Sequence, residues 1–339
     1  MKYFTISSRK NKYFWSYTVA ILCLFAALFL GLLCGSTALS LTDLAGALFS
    51  GDLSSAETRI FLYVRLPRTL GSCLAGGALA LSGAVLQGAL GNRLASPSVI
   101  GVNAGAALAV SLAGAFGILG GFRLSLLAFL GALFSVALVS LGAKKWGMSR
   151  GTVILMGVAL NSLLGAARDA VGVFVPDAAV MGAAFRVGDF SGVSYAKLIP
   201  AAILILLTAI VLLTLTNEHD LLTLGDENAY GLGLRAGLAR SLFLILAAVL
   251  AGAAVSLAGL LSFVGLLVPH AVRRVAGASA KHLFPLSFLF GCGFVSLSDT
   301  LSRVIFTPYE LPVGIPLAII GAPFFLFILI KKEGSDHHA

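Results

Sequence analysis

Histidines, cysteines and nucleotide-binding glycines are the features of this chain that could do chemistry, and their placement argues against catalysis. The five histidines are His219, His270, His282, His337 and His338. None stands at helical ligand spacing from a second histidine or a carboxylate within an apolar run, and His337 and His338 belong to a terminal tail. Cys23, Cys34, Cys73 and Cys292 all lie in apolar runs without a C-x-x-C spacing. They read as buried small hydrophobes that stay reduced. No H-E-x-x-H or G-x-G-x-x-G occurs. A Walker loop needs Gly-Lys before Ser or Thr, and no lysine here follows a glycine. No catalytic, metal-binding or cofactor-binding residue is assigned, and the chain cannot supply its own P-loop ATPase.

The elements that would position any site must be membrane helices. Of 339 residues, 59% are hydrophobic and 11% charged, with a net charge of +9. An average soluble domain has roughly 45–50% apolar and about 25% charged residues. That contrast excludes a soluble enzyme, a disordered chain and a disulfide scaffold, and too few charges remain to build a nucleic-acid face. Apolar runs fall near 14–34, 69–90, 97–117, 124–143, 151–167, 198–216, 241–258, 260–271, 283–301 and 312–330. A span needs about 20 such residues, so the expectation is an all-α polytopic membrane protein of about ten transmembrane helices. The first run reads as an uncleaved helix, because Leu33 before Cys34 is not the small residue that a cleavage or lipid-attachment site wants.

The stretch from Ser241 to Ala271 decides the topology. It is too long for one upright helix, and Gly259 and Pro269 favour a break with a shortened second arm. With two arms, the inside loops carry 15 of the 23 basic residues and the outside loops 8. A single crossing would abolish this positive-inside bias. The chain is therefore expected in the cell (inner, cytoplasmic) membrane, multi-pass, with both termini cytoplasmic and its basic loops against anionic lipid. Residues 1–13 form one tail, 14–331 a single transmembrane domain with a polar loop at about 217–240, and 332–339 a second tail.

Small residues spaced by four suggest close helix contacts: Gly76, Ala80, Ala84 and Gly88 on the second span, and Gly101, Gly105, Ala109 and Ala113 on the third. A faint echo relates Ala78–Gly83 to Ala254–Gly259. The deep polar residues are Gln87, Asn103, Asn161, Ser162 and Ser256, and every ionisable group lies near a span end. That argues against ion coupling, so energy for transport should come from outside the membrane. In the polar loop, Gly225-Asp226-Glu227 should start a short helix with its acids at the positive end, and Gly231 and Gly233 should end it. Such a loop is suited to docking a partner.

Longer motifs carry a resemblance. Arg65-Leu66-Pro67-Arg68-Thr69-Leu70 leads through Ala80-Leu81-Ser82-Gly83-Ala84-Val85-Leu86-Gln87-Gly88 and Asn92-Arg93-Leu94-Ala95-Ser96-Pro97 to Gly101-Val102-Asn103-Ala104-Gly105-Ala106. Then come Leu224-Gly225-Asp226-Glu227 with Leu232-Gly233, Phe263 to His270, and Ser298-Asp299-Thr300-Leu301-Ser302-Arg303. Glu310 to Ile315 and Ile320-Gly321-Ala322-Pro323-Phe324-Phe325 complete the set. In order and content these blocks resemble the permeases of iron-siderophore and cobalamin ABC importers, the FecCD-like family.

The resemblance implies a type II ABC importer permease architecture. Its partners would be a second permease subunit, identical or related, two cytoplasmic ABC ATPase subunits that bind ATP and magnesium, and an extracytoplasmic substrate-binding protein. Carried over by position, Gly225, Asp226, Glu227, Gly231, Gly233 and Arg235 would couple to the ATPase. Arg65, Arg68 and Arg303 would dock the binding protein. Asn92, Leu94, Arg150 and Gly151 would form the cytoplasmic gate, with Gln87, Asn103 and Asn161 along the translocation path. Ferric siderophore is the expected cargo, as the family's commonest task, with haem and cobalamin as alternatives. A stand-alone secondary transporter is the rival from another class, and a membrane-embedded enzyme on lipids another. The chain departs from the family pattern at Arg93 and Leu260, where proline is expected, and at Arg186, where an aromatic is.

Overall fold

The computed structural model describes residues 2–35, 42, 46, 55–145 and 149–336; His337 and His338 lie outside them. Among the described residues the chain is helical, without strands. Its helices are α1 (Lys2–Leu33), α2 (Ala56–Ala89), α3 (Val102–Ala115), α4 (Gly121–Lys145), α5 (Arg150–Phe174), α6 (Pro176–Val187) and α7 (Tyr195–Thr214). There follow α8 (Thr216–Thr223), α9 (Asp226–Gly231), α10 (Ala236–Ala258), α11 (Val264–Ala276), α12 (Ala280–Val304) and α13 (Gly314–Asp336). Each of the ten apolar runs falls on one helix. Among the described residues seven helices are long and apolar enough to cross a membrane, α3 and α13 are shorter apolar helices, and α11 spans 13 residues.

Three boundaries differ from the hydropathy reading and the break expected at Gly259 is kept, each for a local reason. First, α2 starts at Ala56 rather than near 69, because Ser55 caps it by accepting the Thr58 N–H at 3.2 Å. A π-helical turn over Phe61–Arg65 then carries the helix into Pro67, which has no N–H to donate. Second, the third run loses its start to an irregular segment, 90–101, bounded by Gly91 and Gly101 at φ 59° and 95°.

Third, the break at Gly259 is real and is held by backbone. Gly259 ends α10 at φ 74°, the Leu260 N–H donates to Phe185 O at 2.9 Å, and the Asp189 N–H donates to Ala258 O at 2.7 Å. Leu260 supplies a donor that the expected proline would lack. Fourth, Pro269 does not end the shortened arm: α11 runs through it to Ala276. Proline leaves the carbonyl four residues back without its helical partner, and that carbonyl, Gly265 O, accepts from Gln87 Nε2 at 3.1 Å.

At the centre stands α2, packed by α10, α11 and α12. Its apolar window is 89% buried against 17% for α5, which runs along the periphery. The small residues do the packing expected of them. A Cβ at Gly76 would strike Gly291 of α12, one at Gly83 the Gly265 carbonyl of α11, and one at Gly105 the Gly131 carbonyl of α4. Of the echoing segments, Ala78–Gly83 lies mid-helix and Ala254–Gly259 ends at the break after α10. The cysteine expectation divides: Cys73 and Cys292 are buried, whereas Cys23 is exposed.

Candidate coupling and gating site

The loop between α7 and α10 folds into α8 and α9. His219 pins α8 to the core, its ring packed against Phe243 and Phe284 with Nε2 donating to Val85 O at 3.1 Å. Burial lowers its pKa to about 4, so it is neutral at physiological pH. Asp220 clamps the same helix to the start of α12, accepting from Ser279 Oγ at 2.9 Å and the Ala280 N–H at 2.8 Å. From this anchored helix α9 projects. It begins after Gly225, at φ 105°, runs through Gly231, and is stopped at Gly233, at φ 86°. Asp226 and Glu227 occupy its first turn, as the sequence predicts.

The two acids do different work. The Asp226 carboxylate turns inward, where Oδ1 accepts from Arg150 Nη2 at 2.6 Å and from Arg240 Nη2 at 2.5 Å. Burial pushes its pKa up, but the hydrogen bonds and charges of Arg240 and Arg150 outweigh this and hold the carboxyl below its ordinary value. Arg240 also reaches Ala89 O, at the end of α2, at 3.3 Å, and Arg150 donates to Leu222 O at 2.9 Å. One carboxylate thus ties α9 to the starts of α5 and α10 and, through Arg240, to the end of α2. Glu227, Tyr230, Leu232 and Arg235 face outward and leave α9 a mixed polar and apolar surface.

The turn that follows α2 is the next element. Asn92 organises it: its Oδ1 accepts the Leu94 N–H at 2.8 Å and its backbone carbonyl the Ala95 N–H at 3.0 Å. These bonds brace a turn that carries Arg93 where proline is expected. Asn92, Leu94 and Gly151 line a cavity of about 570 Å³, which joins three of the four predicted gate residues. Arg150, the fourth, lies beside Gly91 and faces Asp226. Arg93, His270, Phe324 and Phe325 line the cavity as well. The phenylalanines stand in a quoted motif, but their place opposite Asn92 was not readable from it.

Of the path residues, Asn103 lines a second cavity of about 240 Å³ with Ser96, Ser98 and Ser262. Leu266 is common to both cavities. Phe263, also in the wall, holds a left-handed φ of 66°, unusual for an aromatic residue, and Gly321 makes room for it. Gln87 is buried between α2 and α11, donating to Gly265 O and accepting from Arg273, and lines neither cavity. Asn161 braces the 90–101 segment by donating to Ser98 O at 2.7 Å.

At the opposite end the arginines also depart from expectation. Arg65, Arg68 and Arg303 are each no more than 4% exposed. Arg68 binds Asp299 at 3.0 Å and Glu310 at 2.6 Å, and Arg303 lies 3.2 Å from the other Asp299 oxygen. Arg65 donates to Leu32 O and Leu33 O, and Arg303 to Gly31 O and Cys34 O, satisfying the last carbonyls of α1. As placed, these guanidiniums brace α1, α2 and α12 rather than face outward for docking. Asp299, fully buried in the middle, is the functional-end residue the sequence reading left without a role, although its i, i+4 spacing to Arg303 signalled a pair.

Comparison with known proteins agrees with this architecture. The model of the FecCD transport family matches residues 22–331. The uncharacterized ABC transporter permease protein YvrB of Bacillus subtilis is 34% identical, over 98% of each chain. The Fe(3+)-citrate import system permease protein YfmD of the same organism is 34% identical over 97% of this chain and 98% of its own. A solved inward-facing conformation of a putative metal-chelate type ABC transporter superposes with a TM-score of 0.83 at 30% identity, covering 93% of this chain and 98% of that one. A multi-pass helical bundle, an inwardly anchored α9 and a full-length match in sequence and structure converge: the chain belongs to the FecCD transport family, permease subunits of ABC importers for iron chelates, hemin or cobalamin that act in complex with ATPase and permease partners.

Proposed function

We propose that this chain is the permease of a ferric siderophore importer. Both termini and the α8–α9 loop face the cytoplasm, and α9 seats in an ABC ATPase that hydrolyses ATP with magnesium. A second permease subunit completes the path, and an extracytoplasmic binding protein delivers the chelate to the end braced by Arg68 and Asp299. The observation that carries the reading is the Asp226 carboxylate, shared by Arg150 and Arg240 at 2.6 and 2.5 Å. Any displacement of α9 by an ATPase pulls on the starts of α5 and α10, and so on the Leu90–Leu94 turn between them and the cavity. Motion is thereby passed to a gate through a connected set of charged contacts.

The lining of the two cavities supports this cargo. Among the described residues no group of three His, Cys, Asp or Glu side chains could hold a bare metal ion. The cavity walls offer serine, asparagine, arginine and aromatic groups, which suit the organic shell of a chelate whose metal is already coordinated. The relative named for Fe(3+)-citrate import supports the same class. The test is uptake of radiolabelled ferric siderophore, hemin or cobalamin, each offered in turn, into liposomes holding the permease, its ATPase and its binding protein. ATP-dependent uptake of the siderophore is expected. Uptake of only hemin or cobalamin overturns the cargo, and uptake without the ATPase favours a stand-alone carrier.

A further inference from the structure

The 570 Å³ cavity beside the Leu90–Leu94 turn carries a chemistry that the gate role does not require. Two kinds of donor converge on it, and a histidine stands in the same wall. Arg93 is exposed, and no carboxylate bridges it among the described residues. Asn92 has its Oδ1 committed to the Leu94 N–H, which leaves the amide Nδ2 as a donor. His270 lines the same wall, and its Nε2, shielded from solvent, has no hydrogen-bond partner.

The charge is one-sided. None of the residues lining the cavity is acidic. Arg93, Arg273 and Arg274 all lie close enough to His270 to act on its charge. The second cavity differs, since its polar wall is made of Ser96, Ser98, Asn103 and Ser262, all uncharged. Cargo moving along the two cavities would pass from a neutral chamber into a cationic one.

We propose that the larger cavity is a binding site for an anionic metal chelate, with Arg93 as its charge-bearing residue and Asn92 as a hydrogen-bond partner. This rests on the import reading above and deepens it by naming the cargo's charge. Carboxylate or catecholate oxygens at the rim of the chelate would accept from the guanidinium and the amide, while Phe324 and Phe325 cover its apolar parts. An uncharged chelate of the same size gains nothing from Arg93. The position of Arg93 is the sequence's own pointer, since a proline there would provide no charge.

The test needs no binding protein. In the purified permease–ATPase complex, with Cys23 and Cys34 replaced by serine, Leu94→Cys places a reactive thiol at the cavity wall, where Leu94 is half exposed. Its rate of maleimide labelling is measured against rising ferric citrate, which is anionic, and against an uncharged ferric trihydroxamate. Ferric citrate is expected to slow labelling, with the half-protecting concentration raised at least about tenfold by Arg93→Gln and kept by Arg93→Lys. Equal protection by the uncharged chelate, or unchanged protection in Arg93→Gln, overturns the proposal. Uptake into liposomes by the unmodified transporter is read separately. Its failure for every iron chelate, with protection of the Leu94→Cys thiol intact, would remove the import reading and leave the anion site standing.

Discussion

Replacing Asp226 with asparagine isolates the contact through which α9 is held to the rest of the permease. The side chain of Asp226 is 49% exposed, that of Arg150 23% and that of Arg240 7%. An exposed ion pair contributes about 0–1 kcal/mol, whereas stripping the partner from a buried charge costs about 3–5 kcal/mol. Asp226→Asn leaves Arg240 with Ala89 O at 3.3 Å and a neutral amide oxygen. Because the carboxylate is half solvated, the expected cost lies between those limits, at about 1–3 kcal/mol. The carboxyl's pKa is depressed in the fold, so this contribution is present at neutral pH. It is lost as pH falls below the ordinary carboxylate value of about 4.

Two measurements check the reasoning. Thermal melting of the purified complex should fall, and in liposomes more ATP should be hydrolysed per chelate imported, because α9 can move without drawing the gate turn with it. Glu227→Lys is the control. That residue faces outward, so its variant should melt as the parent does yet bind the ATPase more weakly. An Asp226→Asn permease with parental melting and a parental ratio of ATP to chelate would refute the argument.

Gly83→Ala should destabilise the bundle by about 1–3 kcal/mol or more, since its Cβ meets the Gly265 backbone, while Gly231→Ala, with open space around it, should leave melting unchanged or raised. His219 should make the protein acid-sensitive. Its pKa falls from 6.5 to about 4 on folding, so stability is full above pH 6.5 and drops by up to about 3 kcal/mol on the way to pH 4. His219→Gln should lack that slope in melting experiments. Asp299→Asn should be the most damaging single change at the opposite end, about 3–5 kcal/mol by loss of charge between Arg68 and Arg303, read as lost yield of folded protein. Glu310→Gln, at the partly exposed edge of the same network, should retain most of that yield.

What the sequence determined on its own is local. Ten apolar runs specify ten helices because a lipid-embedded backbone must satisfy its own hydrogen bonds. Gly225 marks the start of α9, Gly233 its stop and Gly259 the end of α10, because each takes a positive φ that other residues avoid. Gly76 and Gly105 announce close helix contacts because the absence of a side chain is itself the signal. The tertiary structure alone decided what the polar residues do, since their partners are remote in the chain. Arg68 and Glu310 are 242 positions apart, and Arg303 and Gly31 are 272. An arginine at a span end reads as a surface charge until the fold brings Asp299 and the last carbonyls of α1 against it. Gln87 reads as a path residue until Pro269, on another helix, frees a carbonyl for it to satisfy. The cationic cavity has the same origin: Arg93 and His270 share a wall only because α11 folds back against the turn after α2, a closeness that long-range packing supplies and no local pattern encodes.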